Sequence, residues 1–331
     1  MRRRRPARSA SAISRPDAGP WAGLPTESRN PRSARLDGMS TRDVVALLVD
    51  EDRRAVAATA RQAGSIARAA NEAVRCLAAG GRLVFLGAGT SGRLGVLEAA
   101  ECPPTFGIEP ARVRAVMAGG AGAVFRAVEG AEDREDAGRR KGRLLRRGDL
   151  LVGVSASSVT AFVRGGLEGA RSRGARTVLV TCSPEKGLAR LADVVVAVPT
   201  GPEVLTGSTR LKAGSATKAV LNAITTAAMV RLGKAYGNLM VDLRPGSRKL
   251  EDRARRIVAA GSGVPQPEAA RLLSATRGEV KTAIVMARLG LTADDARRRL
   301  RSAGGHVRKA LGARGRGGKS SRRRRRENGP A

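Results

Sequence analysis

The stretch RLVFLGAGTSGR, residues 82–93, decides the fold. It opens with a short apolar run that glycines end at once, a pattern typical of a strand buried in a parallel sheet. Comparable runs follow at 113–117, 150–154, 177–181 and 194–198. Helical stretches alternate with these runs, so the sequence predicts right-handed βαβ crossovers. The fold class is therefore α/β, with a doubly wound parallel sheet flanked by helices.

Helical patterns precede and follow the predicted strands. Residues 40–79 have helical periodicity and end at two glycines, and a long helix is predicted from about 208 to 234. That helix includes the apolar stretch 219–230, which is too short and too interrupted by polar residues for a membrane span. Three amphipathic stretches within 266–311 predict a small C-terminal helical appendage.

Positive charge is concentrated at the two ends of the chain. The formal net charge is +33, and dense arginine clusters lie in Gly/Pro/Ser-rich segments at 1–25 and 312–331. We expect both segments to be disordered basic tails, and leave open whether they are merely solvated or contact a nucleic acid. The main α/β domain, with its N-terminal helical segment, is predicted over 26–260 and the appendage over 261–311.

Residue types suited to metal or nucleophilic chemistry are scarce. Cys76, Cys102 and Cys182 have no CxxC spacing, so neither a zinc site nor a disulfide framework is expected and a reducing compartment fits. His306 is the only histidine and lies near the basic C-terminal end, which argues against Ser–His catalysis and histidine-based metal sites. No apolar segment follows the basic N-terminus, so the expected location is the cytoplasm.

The loop at 87–93 has the GxGxxG form of a dinucleotide fingerprint. A nicotinamide site also needs an acidic residue at the end of the second strand, where this chain has Ala118-Gly119-Gly120. Thr90 and Ser91, with the backbone at Gly89, instead favour the binding of a phosphate or a sugar. A tight turn without any ligand is the remaining alternative.

Two further polar clusters follow predicted strands. Residues 155–160 place four hydroxyl groups after the third strand, which suits a phosphate monoester better than a helix N-cap alone. Residues 206–214 place hydroxyl groups and two cations before a helix, which also suits an anion. The candidate anion ligands in these clusters are Ser157, Ser158, Thr160, Ser208, Thr209, Arg210 and Lys212.

Carboxylates lie close to the glycine-rich loops in the sequence. Glu98 and Glu101 share one face of the helix after the first loop, and Pro103-Pro104 is expected to end that helix sharply. Glu132 follows the second glycine turn. Two carboxyl groups facing one site can act as general acid and base, whereas charged residues on helices are more often a solvated face. Spacing alone leaves both interpretations open.

Several of these motifs, in this order, resemble those of the N-acetylmuramic acid 6-phosphate etherases. The resemblance extends from about Thr26 to Leu311, nearly everything except the tails. The matching segments are residues 26–31, 87–95, 101–107, 127–133, 201–218 and 236–242.

This resemblance implies a sugar-isomerase (SIS) fold of flavodoxin-like topology and a homodimer that works without metal or cofactor. It implies a carbon–oxygen lyase that removes the D-lactyl ether of N-acetylmuramic acid 6-phosphate in cell-wall sugar recycling. Elimination followed by addition of water would give N-acetylglucosamine 6-phosphate and D-lactate. The family's catalytic glutamates fall on Glu101, as the proton donor, and Glu132, as the base.

One loop departs from the family pattern. Where the family usually has Ala-Ser-Gly-Arg-Thr-Pro, residues 156–161 of this chain are Ala-Ser-Ser-Val-Thr-Ala. Ser158 in place of glycine is expected to be costly if the backbone there has a positive φ, and the missing arginine removes a cation. This departure makes a catalytically weak sugar-phosphate-binding regulator of the same fold the main alternative. A sugar-phosphate isomerase or aminosugar-processing relative is a further one.

Overall fold

Two structural units make up the described part of the chain. The computed structural model describes residues 21, 23–183, 186–243 and 246–312. The first unit comprises the residues up to 104 together with 108–231, and the second comprises 105–107 together with the residues from 232 onward. The predicted basic tails lie outside the described residues, apart from 21, 23–25 and 312.

A five-stranded parallel sheet is the centre of the first unit. Its strands are β1 Leu83–Gly87, β2 Val113–Met117, β3 Leu150–Val154, β4 Arg176–Thr181 and β5 Val194–Ala197. They are arranged in the order β2–β1–β3–β4–β5, which is the flavodoxin-like order. Gly87 is in register with both Met117 and Val154, so β1, β2 and β3 end at the same level. The predicted α/β fold class is confirmed.

Seven helices belong to the described chain between residues 41 and 231. They are α1 Thr41–Ala60, α2 Ala63–Ala78, α3 Gly89–Phe106, α4 Glu135–Gly142, α5 Ala161–Arg171, α6 Lys186–Ala189 and α7 Lys212–Arg231. Every residue of β1 and β3 is buried, as expected for strands that helices cover on both faces.

Two helix predictions were wrong in detail. The single helix expected over 40–79 is two helices, because the chain turns at Arg61 and Gln62, where the Gln62 N–H donates to the Thr59 carbonyl at 2.9 Å. The expected stop at Pro103-Pro104 does not occur, since both prolines lie within α3. They remove backbone donors only near the end of the helix, where the loss affects a single turn.

Helices α4 and α5 pack so closely that their backbones contact each other through glycine residues. A Cβ atom added at Gly138 would lie 1.9 Å from the Phe162 carbonyl oxygen, and one at Gly165 would lie 2.0 Å from the Glu135 carbonyl oxygen. Only hydrogen fits at either position. Because α4 follows the segment that carries Glu132 and α5 follows the 155–160 loop, this contact fixes two parts of the candidate site relative to each other.

The second unit is helical apart from one short hairpin. Its elements are β6 Ala235–Tyr236, β7 Leu239–Met240, α8 Arg248–Ser262, α9 Gln266–Ala275, α10 Val280–Leu289, α11 Ala293–Ser302 and α12 Val307–Ala310. In this unit, Ile257 and Val258 of α8 share a core with Ile284 of α10. None of the described helices is both long and apolar enough to span a membrane.

Candidate active site

A cleft opens at the carboxyl ends of β1 and β2. Its volume is about 170 Å³, which is small beside the roughly 300–1,000 Å³ of typical ligand pockets. Gly89 and Arg93 line it from the start of α3, Met117 from the end of β2, and Glu129 and Glu132 from the segment that follows β2. The structure therefore brings two of the predicted site residues, Gly89 and Glu132, into one cleft.

The turn between β1 and α3 is tight because of its glycines. A Cβ atom at Gly92 would lie 2.7 Å from the Gly87 carbonyl oxygen and 2.9 Å from Cγ of Met117. The Gly92 N–H donates to the Ala88 carbonyl at 3.0 Å, and Gly89 has a φ of 51°. These close approaches press the first turn of α3 against the end of β2 and form one wall of the cleft.

Glu132 lies on a short 3-10 helix, Ala131–Asp133, directly before α4. Gly130, with a φ of 67°, turns the chain into this helix, and the buried side chain of Ala131 anchors it. The Glu132 side chain is exposed, so its carboxylate is accessible from the open side of the cleft. This geometry suits a group that must exchange protons with a bound molecule.

Glu101 is not among the residues that line this cleft. It is exposed on α3, and lies about 18 Å further along the helix than Gly89, at about 1.5 Å per residue. The two glutamates of the predicted acid–base pair therefore occupy different parts of a single chain.

Glu98, one turn before Glu101, has a different environment. Its side chain is buried and accepts hydrogen bonds from Nδ2 of Asn222, at 2.6 Å, and from the Thr225 hydroxyl. Burial raises the pKa of Glu98 above its ordinary value, although these bonds oppose the shift. The carboxyl group thus joins α3 to α7 and is closed off from the cleft.

The hydroxyl groups of the 155–160 loop are not equivalent. The hydroxyl oxygens of Ser155 and Thr160 are hydrogen-bonded to each other at 2.8 Å. The side chains of Ser157 and Thr160 are half-buried. Ser158 has a φ of 64°, the conformation in which a residue other than glycine was expected to be costly. Its hydroxyl group is fully buried and has no hydrogen-bond partner among the described residues.

The segment before α7 lies close to the β1–α3 turn. A Cβ atom at Gly214 would lie 3.7 Å from Cγ2 of Thr90, so the start of α7 adjoins the half-buried hydroxyl pair of Thr90 and Ser91. The predicted ligands of this segment have different exposures. Ser208 and Thr209 are half-buried, Arg210 is exposed and Lys212 is buried.

Comparison with known proteins decides the family. Residues 65–171 match the glucokinase regulatory protein N-terminal SIS domain, and residues 128–227 match the SIS domain. An N-acetylmuramic acid 6-phosphate etherase of Rubrobacter xylanophilus is 53% identical over 291 residues, which cover 87% of this chain and 96% of that protein. The chain belongs to the N-acetylmuramic acid 6-phosphate etherase family.

A second etherase sequence agrees with this assignment. The N-acetylmuramic acid 6-phosphate etherase of Mycolicibacterium smegmatis is 49% identical, over 88% of this chain and 99% of that protein. Among solved structures, a phosphoheptose isomerase from Francisella tularensis is 18% identical with a TM-score of 0.47, covering 58% of this chain and all of that one.

One buried ionic network of this etherase-family chain was not foreseen from the sequence. Lys212 donates to Glu51, which also accepts from Nδ2 of Asn30 at 3.2 Å and from Nη1 of Arg32 at 2.5 Å. Burial works against the charged carboxylate, but these donors hold the pKa of Glu51 below its usual value. Lys212, expected as an anion ligand, is thus bonded to a carboxylate of the same chain.

Nucleophilic and metal chemistry has little support in the described part of this etherase-family chain. Burial raises the pKa of the thiols of Cys76 and Cys102 to about 12 and that of Cys182 to about 11. Thiols that stay protonated are poor nucleophiles. Across the described residues, no group of three or more His, Cys, Asp or Glu side chains is placed to hold a metal ion.

Proposed function

We propose that this chain cleaves the D-lactyl ether of N-acetylmuramic acid 6-phosphate and releases N-acetylglucosamine 6-phosphate and D-lactate in the cytoplasm. Membership of the etherase family supports the reaction. The observation that carries the assignment to this site is the cleft in which Glu132 stands opposite the glycine-rich start of α3. A helix N-terminus and a free carboxylate provide an anion site and a base in one place.

Each glutamate has one role in each half of the reaction. The Glu132 carboxylate removes the C2 proton of the open-chain sugar, the C2–C3 double bond forms and the C3–O bond breaks. Glu101 gives its proton to the departing lactyl oxygen. In the second half, Glu101 takes a proton from the water that attacks C3, and Glu132 returns a proton to C2. Both carboxyl groups end in the state in which they began.

The proposed phosphate ligands are polar groups of the β1–α3 turn, the 155–160 loop and the segment before α7. Thr90 of the turn adjoins Gly214 at the start of α7, and all of these groups are half-buried or exposed, whereas Ser158 and Lys212 are buried. The proposed ligands are the backbone at Gly89 and the side chains of Thr90, Ser91, Ser157, Thr160, Ser208, Thr209 and Arg210.

A homodimer would complete the site. Because Glu101 lies too far along α3 to reach the cleft of its own chain, we assign it to the cleft of a second copy. Leu97, which lies one turn earlier on α3, has 44% of its surface exposed, and an apolar side chain of that kind suits a surface that a second copy covers.

Mixing two inactive variants tests the reaction and the shared site together. We expect the unaltered protein to release D-lactate from the muramic acid phosphate, and Glu101→Gln and Glu132→Gln each to lose about 10²- to 10⁴-fold in rate. Unfolding and remixing the two variants should restore activity, since mixed dimers contain one cleft with both glutamates. Glu109→Gln, an exposed carboxylate outside the cleft, should act like the parent.

Each contrary result has a distinct meaning. Activity that does not return on mixing would place both glutamates in one chain and refute the shared site. Tight binding of a hexose 6-phosphate without lactate release would refute the lyase and favour the sugar-phosphate-binding regulator. The strained loop at Ser158, which departs from the family pattern, is the observation that favours this second candidate.

A further inference from the structure

The cleft that holds Glu132 contains one cation among its lining residues. Glu129 and Glu132 are both carboxylates, whereas Arg93 is the only lysine or arginine among the described residues that line the cleft. A ligand carrying a negative charge would be repelled by the two glutamates. For an anionic group that enters this cleft, Arg93 is therefore the cationic side chain available to bind it.

Arg93 uses part of its guanidinium group to hold the cleft wall. Nε donates to the Val124 carbonyl at 2.9 Å, and Nη2 donates to the Ala123 carbonyl at 2.8 Å. Both carbonyls belong to the 3-10 helix Ala121–Val124, in the same segment as Glu132. These bonds fix the plane of the guanidinium group and leave its far edge available.

That available edge has the geometry that binds a carboxylate. A guanidinium group has five N–H donors, and the two bonds to carbonyls use one on Nε and one on Nη2. No bond joins Nη1 to an acceptor among the described residues, so Nη1 and the second N–H of Nη2 form a fork. Forks of this kind bind carboxylates through two parallel hydrogen bonds.

We propose that Arg93 binds the carboxylate of the substrate's lactyl group, in addition to holding the wall of the cleft. This inference rests on the proposed function, because the lactyl group is the part of that substrate that leaves. It assigns the substrate's two anionic groups to different places: the phosphate to the polar groups of the β1–α3 turn, the 155–160 loop and the segment before α7, and the carboxylate to Arg93.

This contact would set the direction in which the lactyl oxygen points. A carboxylate held in two hydrogen bonds positions the adjacent ether oxygen while the C3–O bond breaks. It would also distinguish a lactyl ether from ethers without an acid group, because their entry would leave the desolvated guanidinium edge without a partner. Arg93 would thus determine specificity as well as support the loop.

A pair of substrates separates this role from a structural one. The first is N-acetylmuramic acid 6-phosphate, and the second is its lactyl carboxamide, which has the same shape without the charge. We expect the unaltered protein to prefer the acid by about 10- to 100-fold in kcat/KM, the range for a hydrogen bond to a charged group. In Arg93→Gln that preference should fall to about 1, and Arg93→Lys should restore part of it.

The preference for the acid over the amide, rather than the activity itself, decides whether Arg93 binds the carboxylate. Arg126→Gln removes a neighbouring exposed arginine outside the lining and should keep the parent preference. If Arg93→Gln slows both substrates equally, Arg93 supports only the loop and the proposal is overturned. The same follows if the unaltered protein does not distinguish the acid from the amide, a result that needs no variant to fold.

Failure of the proposed function can be recognised separately. If the unaltered protein releases nothing from either compound, the lyase proposal fails, and calorimetric binding of the acid and the amide still provides the comparison. Equal binding constants would then overturn the assignment of Arg93. Binding of the acid at least 10-fold more tightly, lost in Arg93→Gln, would uphold it.

Discussion

Lys212 and Glu51 form an ion pair in the protein interior, where the side chain of each is only 5% exposed. Removing Glu51 leaves the buried Lys212 ammonium group without its carboxylate, whereas removing Lys212 leaves Glu51 with Arg32 and Asn30. We expect Glu51→Gln to lower the free energy of unfolding by about 3–5 kcal/mol and Lys212→Met to lower it by less, both measured by urea unfolding. Asp136→Asn, which breaks an exposed pair with Arg140, should change it little; equal losses in all three variants would contradict the interpretation.

Replacing Ser158 with glycine should stabilise the protein. The change relieves a positive φ and removes a buried hydroxyl group that has no hydrogen-bond partner among the described residues. We expect a gain of about 1–2 kcal/mol, after allowing for the extra chain entropy of glycine. Thermal unfolding checks this, with Ser157→Gly as the control that should bring no gain. A less stable Ser158→Gly protein would show that the Ser158 side chain stabilises the loop by more than its positive φ destabilises it.

Glu98 and Glu101 should have opposite effects although they are one turn apart. Glu98→Ala removes the acceptor of the Asn222 and Thr225 side chains, so it should cost about 1–3 kcal/mol of stability while folded molecules still release lactate. Glu101→Ala changes an exposed side chain and should leave stability within about 0.5 kcal/mol while activity is lost. Parallel unfolding curves and lactate assays give both quantities, and a reversed pattern would exchange the two roles.

The contact between α4 and α5 should not tolerate one added methyl group. In Gly165→Ala the new Cβ would lie 2.0 Å from the Glu135 carbonyl oxygen, so the helices must separate. We expect a loss of about 1–3 kcal/mol or more, together with lost activity, because the Glu132 segment moves with α4. Gly64→Ala on α2 meets no atom of the described residues within 4 Å beyond its own stretch of helix, so it should be neutral or stabilising. A stable, active Gly165→Ala protein would refute the coupling.

Asp149 should make stability depend on pH in the acid range. Its carboxylate is fully buried, which opposes ionisation, but it accepts from the guanidinium group of Arg82 at 2.6 Å and from the N–H groups of Arg82 and Arg146 at 2.8 and 3.0 Å. These bonds lower the pKa of Asp149 below its ordinary value of 3.8. Its contribution to stability is therefore complete above about pH 4 and is lost as the pH falls through the lowered pKa.

The test compares Asp149→Asn with the parent protein in urea at several pH values. The variant should be less stable at pH 7, and the difference should shrink steadily as the pH falls below about 4. Asp37→Asn, at an exposed carboxylate, should leave the pH profile unchanged. A gap between variant and parent that does not vary with pH would show that the effect of Asp149 is independent of its charge.

The sheet was predictable because its signals are local. The apolar run ending at Gly87 and the glycines after it identify a buried strand and a tight turn without reference to the rest of the chain. The same holds for the strand that ends at Val154. The position of Glu132 beside the cleft also follows from a local turn, since Gly130 directs the chain at that point.

The partners of the charged side chains were not predictable in this way. Lys212 and Glu51 are 161 residues apart in the sequence, and only the packing of α1 against α7 brings them together. The periodicity that placed Glu98 and Glu101 on one face could not show that Asn222 would bury the first and leave the second exposed. In each case the environment of a charge depends on a distant element, which spacing along one helix does not encode.

The Asn30 side chain also donates to the carbonyl of Pro202 at 3.2 Å, so the segment before α1 is tied to the body of the first unit. Translation initiated at the internal Met39 would deliver the whole sheet yet omit both Asn30 and Arg32. Such a product would expose the Glu51 carboxylate to water on one side. The resulting loss of stability would make it more susceptible to proteolysis than the longer polypeptide.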